Sequence, residues 1–222
     1  MRLRRKGVAE ADPIEESTSL DGASEEVASA PGPHDIAEVS TLDGYADFGA
    51  LLVPVTDVEM RLNVDEASGQ IMSVAWLTEE AGLEVSVFAA PRTPGVWDDL
   101  RPELMADAAQ RGGTVDEAEG PYGVEVVCTL PVQLPDGTGA LQATRIFAAQ
   151  GERWLLRGAL MGRAVAEPEV AAAWYELFGA LVVRRGTDAK PVGEALELRL
   201  PPDAQLNAVP PLNDSPEGAN HG

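Results

Sequence analysis

Hydrophobic residues alternate with polar ones over most of the middle of the chain. The clearest case is VEMRLNV at 58–64, where Val, Met, Leu and Val are separated by Glu, Arg and Asn. A period of two is typical of a strand with one buried face. Such runs, with one more continuously apolar run at 71–77, predict about seven strands at residues 58–64, 71–77, 83–89, 114–118, 124–132, 140–149 and 153–162. Most of the loops between them are short, which favours antiparallel pairing.

The period changes to that of a helix in two places. Thr93 is predicted to cap the first helix, Pro94 to be its first residue and Gly112-Gly113 to end it. A second helix is predicted to begin at Pro168. The apolar stripes are Val96, Trp97, Leu100, Leu104, Met105 and Ala108 in the first helix, and Val170, Trp174, Leu177, Phe178 and Leu181 in the second.

The order of these elements indicates the fold class. Three strands, a helix, four strands, a helix and a short strand at 181–183 predict a single α+β domain. We expect a mainly antiparallel sheet of about seven strands with two helices packed on it, and an edge strand at 195–200. The order resembles that of the Mog1/PsbP-like sandwich, an analogy of topology that carries no function.

Composition divides the chain into three parts. Residues 1–47 begin with a basic tip, Arg2, Arg4, Arg5 and Lys6, followed by eleven acids between positions 8 and 47. This acidic leader has few bulky side chains to bury and is expected to be disordered. The folded domain is predicted at 48–200 and a Pro-, Asn- and Gly-rich tail at 201–222. The leader is either a solubilising segment or a basic tip that docks on an acidic partner or membrane surface.

The charge and the rare residues exclude several kinds of site. A net charge of −21, from 37 acids and 16 bases, disfavours direct nucleic-acid binding by the folded domain. Cys128 is the one cysteine, so the chain forms no internal disulfide and no multi-cysteine metal site. Both histidines, His34 and His221, lie outside the predicted domain, which excludes a histidine-based triad or metal cluster in its core. We predict no metal and no cofactor.

The N-terminal stretch and the overall hydropathy bear on location. The first six residues look like the start of a signal peptide, but no apolar segment follows them. No run approaches the ~20 apolar residues that span a bilayer. We therefore expect a cytoplasmic protein without a transmembrane segment.

Several segments together resemble one known family. They are APRTPGVWDDLRPEL, RGGTVDEAEGPYGVEV, LPVQLPDG and GERWLLRGALMG, within about residues 45–203. They are similar to the actinobacterial family catalogued as domain of unknown function thirty-seven-ten. The resemblance implies no specific biochemistry. Genes of that family are often near those for a dUTPase and an OB-fold protein, which implies a link to nucleotide or genome maintenance by association alone.

Three arginines are candidate ligand-binding residues. Arg145, Arg153 and Arg157 fall on neighbouring predicted strands, and a three-residue QGE loop would place Arg145 opposite Arg157. Like charges opposed across strands need neutralisation, either by Glu125 on the next strand or by a bound anion. A two-residue loop would separate the pair. The arrangement is thus either a salt-bridged surface or a site for a small anionic ligand or nucleotide.

A second candidate surface is a corner that would contact another protein. Arg92 and Trp97 lie beside Pro91 and Pro94, and Arg and Trp are frequent interface anchors. The chain has no phosphate loop, dinucleotide fingerprint or nucleophile elbow. We therefore expect a non-enzymatic domain that binds an unknown protein partner. The alternatives are a module for a small anionic ligand or nucleotide, and an uncharacterised carboxylate-dependent hydrolase.

Overall fold

The computed structural model of the chain describes residues 32–134 and 136–201. Most of the predicted leader and nearly all of the tail lie outside these residues. The elements are β1 His34–Asp35, β2 Tyr45–Asp47, β3 Leu51–Pro54, β4 Glu59–Val64, β5 Ile71–Leu77, β6 Ala81–Ala89, α1 Val96–Gln110, β7 Thr114–Gly120, β8 Gly123–Gln133, β9 Gly139–Gly151, β10 Trp154–Gly162, α2 Pro168–Gly179 and β11 Val182–Val183.

The large sheet agrees with the sequence pattern. Seven strands pair in the order β4-β5-β6-β10-β9-β8-β7, and every neighbouring pair is antiparallel. Strands that follow each other in the chain pair directly, except where β10 lies beside β6. The α+β class, the seven-stranded sheet and the two helices are confirmed.

A second, small sheet was not predicted. It has the order β1-β11-β3-β2, and β1 pairs with β11 in parallel. Each of its strands has only two to four residues, too few to show a period in the sequence. Two of the strands lie in residues 34–47, which the acidic composition assigns to the leader, so the sheets include residues before 48.

The main core lies between the two sheets and α2. One hydrophobic cluster contains Leu51 and Val183 from the small sheet, Trp76 and Phe147 from the large sheet, and Phe178 from α2. These five side chains are fully buried. Burial of each large apolar side chain stabilises the fold by roughly 1.5–3 kcal/mol, so this cluster holds the two sheets and α2 together.

Helix α1 covers part of the opposite face of the large sheet. Its predicted apolar side chains, apart from Ala108, pack in a second cluster with Val126, Ala148 and Leu155. The predicted start of the helix, with Thr93 as the N-cap, was wrong. The N-cap is Gly95, with φ of 110°, and it has no side chain that could form a capping hydrogen bond. The Gln150 side chain on β9 accepts a hydrogen bond from the Val96 N–H (3.2 Å) instead. A residue 54 positions away thus does what Thr93 was expected to do.

The segment 193–198 connects the large sheet to the small one. The Leu196 N–H donates to the Val87 carbonyl (2.9 Å), and the Ala89 N–H donates to the Glu194 carbonyl (2.8 Å). Leu198 forms single bridges to Ile71 of the large sheet and to Gly49 beside the small sheet. The edge strand predicted at 195–200 is therefore a series of isolated bridges rather than a continuous strand.

Candidate functional site

The register of β9 and β10 separates two of the arginines that the sequence suggested as a pair. Gly151 is opposite Trp154, so the connecting turn has two residues rather than three. Arg145 then lies opposite Leu160, and Arg157 lies opposite Ala148. Because side chains alternate between faces along a strand, Arg145 and Arg157 point to opposite faces of the sheet. Of the two turn lengths that the sequence left open, the structure therefore has the two-residue turn, which separates Arg145 from Arg157.

Arg157 lies on the face that α1 partly covers. Its guanidinium is 5.2 Å from the centre of the Phe88 ring, within the range of a cation–π contact. Burial lowers the pKa of Arg157, and the nearby Glu84 carboxylate partly offsets this effect. Arg153 occupies the two-residue turn with φ of 68°, the one non-glycine residue with positive φ among those described. The three arginines thus form no common site.

Arg145 is neutralised by Glu125, one of the two possibilities that the sequence left open. The Arg145 Nε lies 2.5 Å from the Glu125 Oε2, and the Glu125 side chain is fully buried. The Nε–H does not point along this contact, so it is an ion pair without a well-formed hydrogen bond. The Tyr175 hydroxyl of α2 donates to the Glu125 carboxylate, with O–O distances of 2.7 and 2.9 Å.

Aromatic rings close this buried cluster. Tyr122 stacks on Phe147 at 5.8 Å, and its hydroxyl donates to the carbonyl of Tyr175 (3.1 Å). Gly120 has no space for a side chain, because a Cβ there would overlap the Glu125 carboxylate. Burial raises the pKa of Glu125, although the Tyr175 hydrogen bond and the Arg145 charge act in the opposite direction. We interpret the cluster as a structural link between α2 and the sheet.

The raised pKa of Glu125 predicts a pH dependence of stability. Between the unfolded pKa of about 4.3 and the higher folded pKa, the folded state binds more protons, so stability falls as pH rises. Glu125→Gln cannot titrate and lacks this dependence. Urea midpoints from pH 4 to 8 should therefore show the wild type losing stability relative to Glu125→Gln as pH rises. A difference between the two proteins that stays constant across this range would contradict the prediction.

The predicted protein-binding corner has no exposed tryptophan. Trp97 is 8% exposed, and its indole N–H donates to the carbonyl of Val124 (2.7 Å). Trp97 thus anchors the start of α1 to β8 and belongs to the apolar side of the helix. Arg92 is 75% exposed and pairs with Glu152 at 3.3 Å. Of the two residues predicted to form this corner, Arg92 is therefore exposed at the surface and Trp97 is buried.

Four basic residues of the domain line one cavity, away from the predicted corner and from Arg145 and Arg157. A cavity of about 230 Å³ is lined by Arg184, Arg185, Lys190 and Arg199, with Asp188 and Glu197 also at its wall. We call it the cationic cavity. It opens where the chain leaves β11 and returns through the segment 193–198.

Three of the four cations have carboxylate partners. Arg184 Nη1 donates to the Asp47 carboxylate at 2.8 and 2.9 Å. The other two pairs are Lys190 with Glu194 at 2.6 Å and Arg199 with Glu197 at 3.1 Å. All three acids are substantially exposed. Exposed ion pairs of this kind contribute only about 0–1 kcal/mol, so another anion can compete for these cations.

Arg185 differs from the other three cations. Its Nε donates to the carbonyl of Arg153 (2.9 Å) and its Nη1 to the carbonyl of Asp188 (3.1 Å). Among the residues described, no carboxylate pairs with it. The two carbonyls fix the plane of the guanidinium without neutralising its charge. Arg153, a residue singled out from the sequence, thus holds the Arg185 side chain through its backbone carbonyl.

The sequence does contain one indication of this cavity, a local concentration of basic residues, which the alternation of polar and apolar positions does not reveal. Four of the sixteen basic residues fall within positions 184–199. Two of them, Arg184 and Arg185, directly follow the short strand predicted at 181–183. A count of basic residues along a strongly acidic chain would have drawn attention to the segment. Their convergence on one cavity depends on the path of the chain from 186 to 198, which has no regular period.

No group of three His, Cys, Asp or Glu side chains in residues 32–134 and 136–201 is arranged to hold a metal ion. In the same residues, neither helix has the length and apolar character needed to cross a bilayer.

Comparison with known proteins identifies the family. A crystal structure from Bacteroides thetaiotaomicron VPI-5482, at 1.50 Å resolution, aligns with 64% of this chain and 48% of its own, at 11% identity and a TM-score of 0.34. The match thus spans about half of that protein, and a similarity this low carries no argument. No curated protein matches the chain. Residues 32–207 match the family described as "Protein of unknown function (DUF3710)", the family that the sequence motifs resemble, and the chain belongs to it.

Proposed function

We propose that the domain binds a small oxyanion, a phosphate or carboxylate group, in the cationic cavity. The observation that carries the proposal is the convergence of four cationic side chains on one cavity of a chain whose net charge is −21. Arg185 is the central group, because its guanidinium is held by two carbonyls and has no carboxylate partner among the described residues. A planar guanidinium matches the geometry of an oxyanion through paired N–H donors.

The size of the cavity limits the ligand. Pockets for drug-sized ligands have volumes of roughly 300–1,000 Å³, and the cationic cavity has about 230 Å³. It is large enough to hold a phosphate group or a small carboxylic acid. A nucleotide would place only its phosphate there. The ligand class is therefore a small oxyanion or a phosphate that belongs to a larger molecule.

Of the three functions that the sequence suggested, two lose support in this structure and one gains it. The protein-binding corner loses its anchor, since Trp97 is buried. The carboxylate-dependent hydrolase needs two neighbouring carboxyl groups, whereas Glu125 is surrounded by Arg145 and Tyr175. The anionic-ligand hypothesis gains support, but at the cationic cavity rather than at the three arginines first considered.

Inorganic phosphate is the first probe. At pH 8, phosphate should raise the Tm of the wild-type protein above its value in NaCl of equal ionic strength, because a ligand that binds only the folded state stabilises it. Arg185→Ala should remove this difference, and Arg185→Lys should reduce it. Thermal unfolding of each variant in both salts measures it, so any change in the variant's own stability cancels.

The control is an arginine of similar type outside the cavity. Arg111 is 59% exposed and pairs with Asp107 at the end of α1, so Arg111→Ala should keep the phosphate effect. Citrate in place of phosphate separates carboxylate from phosphate preference. The proposal would be refuted if neither phosphate nor citrate raised the Tm of the wild type above its value in NaCl. It would also be refuted if Arg185→Ala kept the full effect of phosphate.

A further inference from the structure

The part of the leader that precedes the described residues is rich in acids. Residues 8–31 contain seven Asp or Glu residues and no Lys or Arg. Three of the seven lie in residues 21–26, DGASEE, the last acidic stretch before the described residues begin at Gly32. We call residues 21–26 the acidic segment. It is joined to the domain through residues 27–31, which carry no charged side chain.

Strand β1, the first described strand, lies beside the strand that leads into the cationic cavity. It pairs in parallel with β11, with Asp35 opposite Val183. Arg184 and Arg185 directly follow β11 and line the cavity. Residues that precede β1 therefore enter the domain close to the cavity.

Hydrogen bonds place the end of β1 next to the central arginine of the cavity. The Trp154 indole N–H donates to the Asp35 carboxylate (2.9 Å). The residue before Trp154 is Arg153, whose carbonyl accepts a hydrogen bond from the Arg185 Nε (2.9 Å). Asp35 and Arg185 are therefore bound to two consecutive residues.

The acidic segment is long enough to reach Arg185. In the register of β1 and β11, Gly32 is level with Ala180, five residues before Arg185. At about 3.3 Å per residue, this separation is roughly 16 Å. Glu26 precedes Gly32 by six residues, and six extended residues span up to roughly 20 Å. Glu26 and the acids before it can therefore contact Arg185.

Charge favours the cationic cavity as the contact of the acidic segment. With 37 acids against 16 bases in the chain, most of the surface repels the segment. The cavity gathers four basic side chains, and Arg185 has no carboxylate partner among the described residues. Residues 202–222 also begin near the cavity, but no two of their three acids are adjacent. In the acidic segment, Glu25 and Glu26 are adjacent.

We propose that the acidic segment occupies the cationic cavity and competes with the oxyanion ligand for Arg185. The proposal rests on the proposed function, because it takes the cavity to be an anion site. A carboxylate of Glu25 or Glu26 would accept hydrogen bonds from the guanidinium. Attachment to the same chain gives the segment an effective concentration on the order of mM at the cavity. The leader would thus lower the apparent affinity for a free oxyanion in proportion to the fraction of chains it occupies.

Zero-length crosslinking of the full chain tests the contact. A carbodiimide joins a carboxylate to an amine that touches it, and Lys190 is the one lysine of the predicted domain. Lys190 lines the cationic cavity, so its products identify acids at that cavity. We expect products of Lys190 with Glu25 or Glu26, in addition to the product with Glu194, its partner in the structure (2.6 Å). Peptide mass spectrometry identifies them.

The product of Lys190 with Glu194 is the internal control. A mixture of normal and isotope-labelled chains separates products within one chain from products between chains. The proposal is overturned if Lys190 yields the Glu194 product without any product from the acidic segment. It is equally overturned if the products of the acidic segment form only between chains, or if Lys190 reacts with Asp203 instead.

Neutralising the acidic segment should strengthen phosphate binding. In the full chain, Asp21→Asn/Glu25→Gln/Glu26→Gln should lower the apparent dissociation constant for phosphate by about threefold or more, the change expected if the segment fills the wild-type cavity at least about two-thirds of the time. The constant follows from the Tm as a function of phosphate concentration, measured against NaCl of equal ionic strength.

The matched control is Glu79→Gln/Glu103→Gln/Glu169→Gln, which removes three negative charges from exposed positions outside the cavity. It should leave the constant near its wild-type value, and an equal fall in both variants would overturn the leader contact. If phosphate binds the wild type and the leader variant equally well, the leader contact is refuted and the oxyanion site stands. If neither phosphate nor citrate stabilises any of these proteins, oxyanion binding itself is refuted, and the leader contact with it.

Discussion

Glu125→Leu should lower the free energy of unfolding at pH 8 by about 3–5 kcal/mol, the cost of leaving a buried charge without its partner. Arg145 has a side chain only 16% exposed and would lose the carboxylate that lies 2.5 Å from its Nε. The Tyr175 hydroxyl would lose its acceptor as well. Urea unfolding of the variant and the wild type at pH 8 measures the loss.

A double-mutant cycle separates the ion pair from general damage to the core. Arg145→Met alone should also destabilise, since Glu125 would remain buried without its cationic partner. The double variant Glu125→Leu/Arg145→Met should recover much of the loss, because apolar pairs often replace buried ion pairs at little cost. If the losses of the single variants simply add in the double variant, the pair is not the source of the effect.

Phe147→Ala should lower the free energy of unfolding by about 3–5 kcal/mol. The ring is fully buried and has three aromatic neighbours: Tyr122 with centroids at 5.8 Å, Tyr175 at 4.9 Å and Phe178 at 4.7 Å. Removing it leaves a cavity between α2 and the sheet and withdraws edge-to-face contacts of the rings. Chemical denaturation followed by circular dichroism gives the value.

The glycine opposite the ring allows a sharper test. A Cβ at Gly158 would lie 2.5 Å from the Phe147 ring, so Gly158→Ala should cost about 1–3 kcal/mol by overpacking. In the Phe147→Ala background the same substitution should cost little. Val55→Ala, at a side chain 70% exposed, should stay within about 0.5 kcal/mol of the wild type. An equal cost of Gly158→Ala in both backgrounds would contradict the packing described.

Regular elements of six residues or more could be predicted from the sequence. Each buries one face, and the burial imposes a period that the sequence displays, as in VEMRLNV. The small sheet could not be predicted in this way. His34 and Asp35 pair with Val182 and Val183 across nearly 150 positions, and two-residue strands show no period. Its contacts are set by the tertiary structure rather than by a local pattern.

The difference between local patterns and tertiary structure also explains which site residues could be predicted. Whether Arg145 faces Arg157 depends on the length of one turn, and that length depends on the positive φ that Arg153 adopts. A difference of one residue reverses which side chains share a face. Glu125 was suggested as a neutralising partner because it lies on the neighbouring predicted strand and carries the opposite charge. The cationic cavity depends on an irregular path, so only the local density of basic residues pointed to it.

The way the small sheet is assembled has a consequence for synthesis on the ribosome. Strands β4 to β10 follow one another and can pair as they emerge, but β3 lacks its partner β11 until residue 183 has been made. The segment 193–198, which bridges both sheets, emerges later still. Until then Leu51 and Val53, both fully buried in the finished domain, have no completed core to enter. Chaperone contact with the nascent chain should therefore concentrate on these early residues.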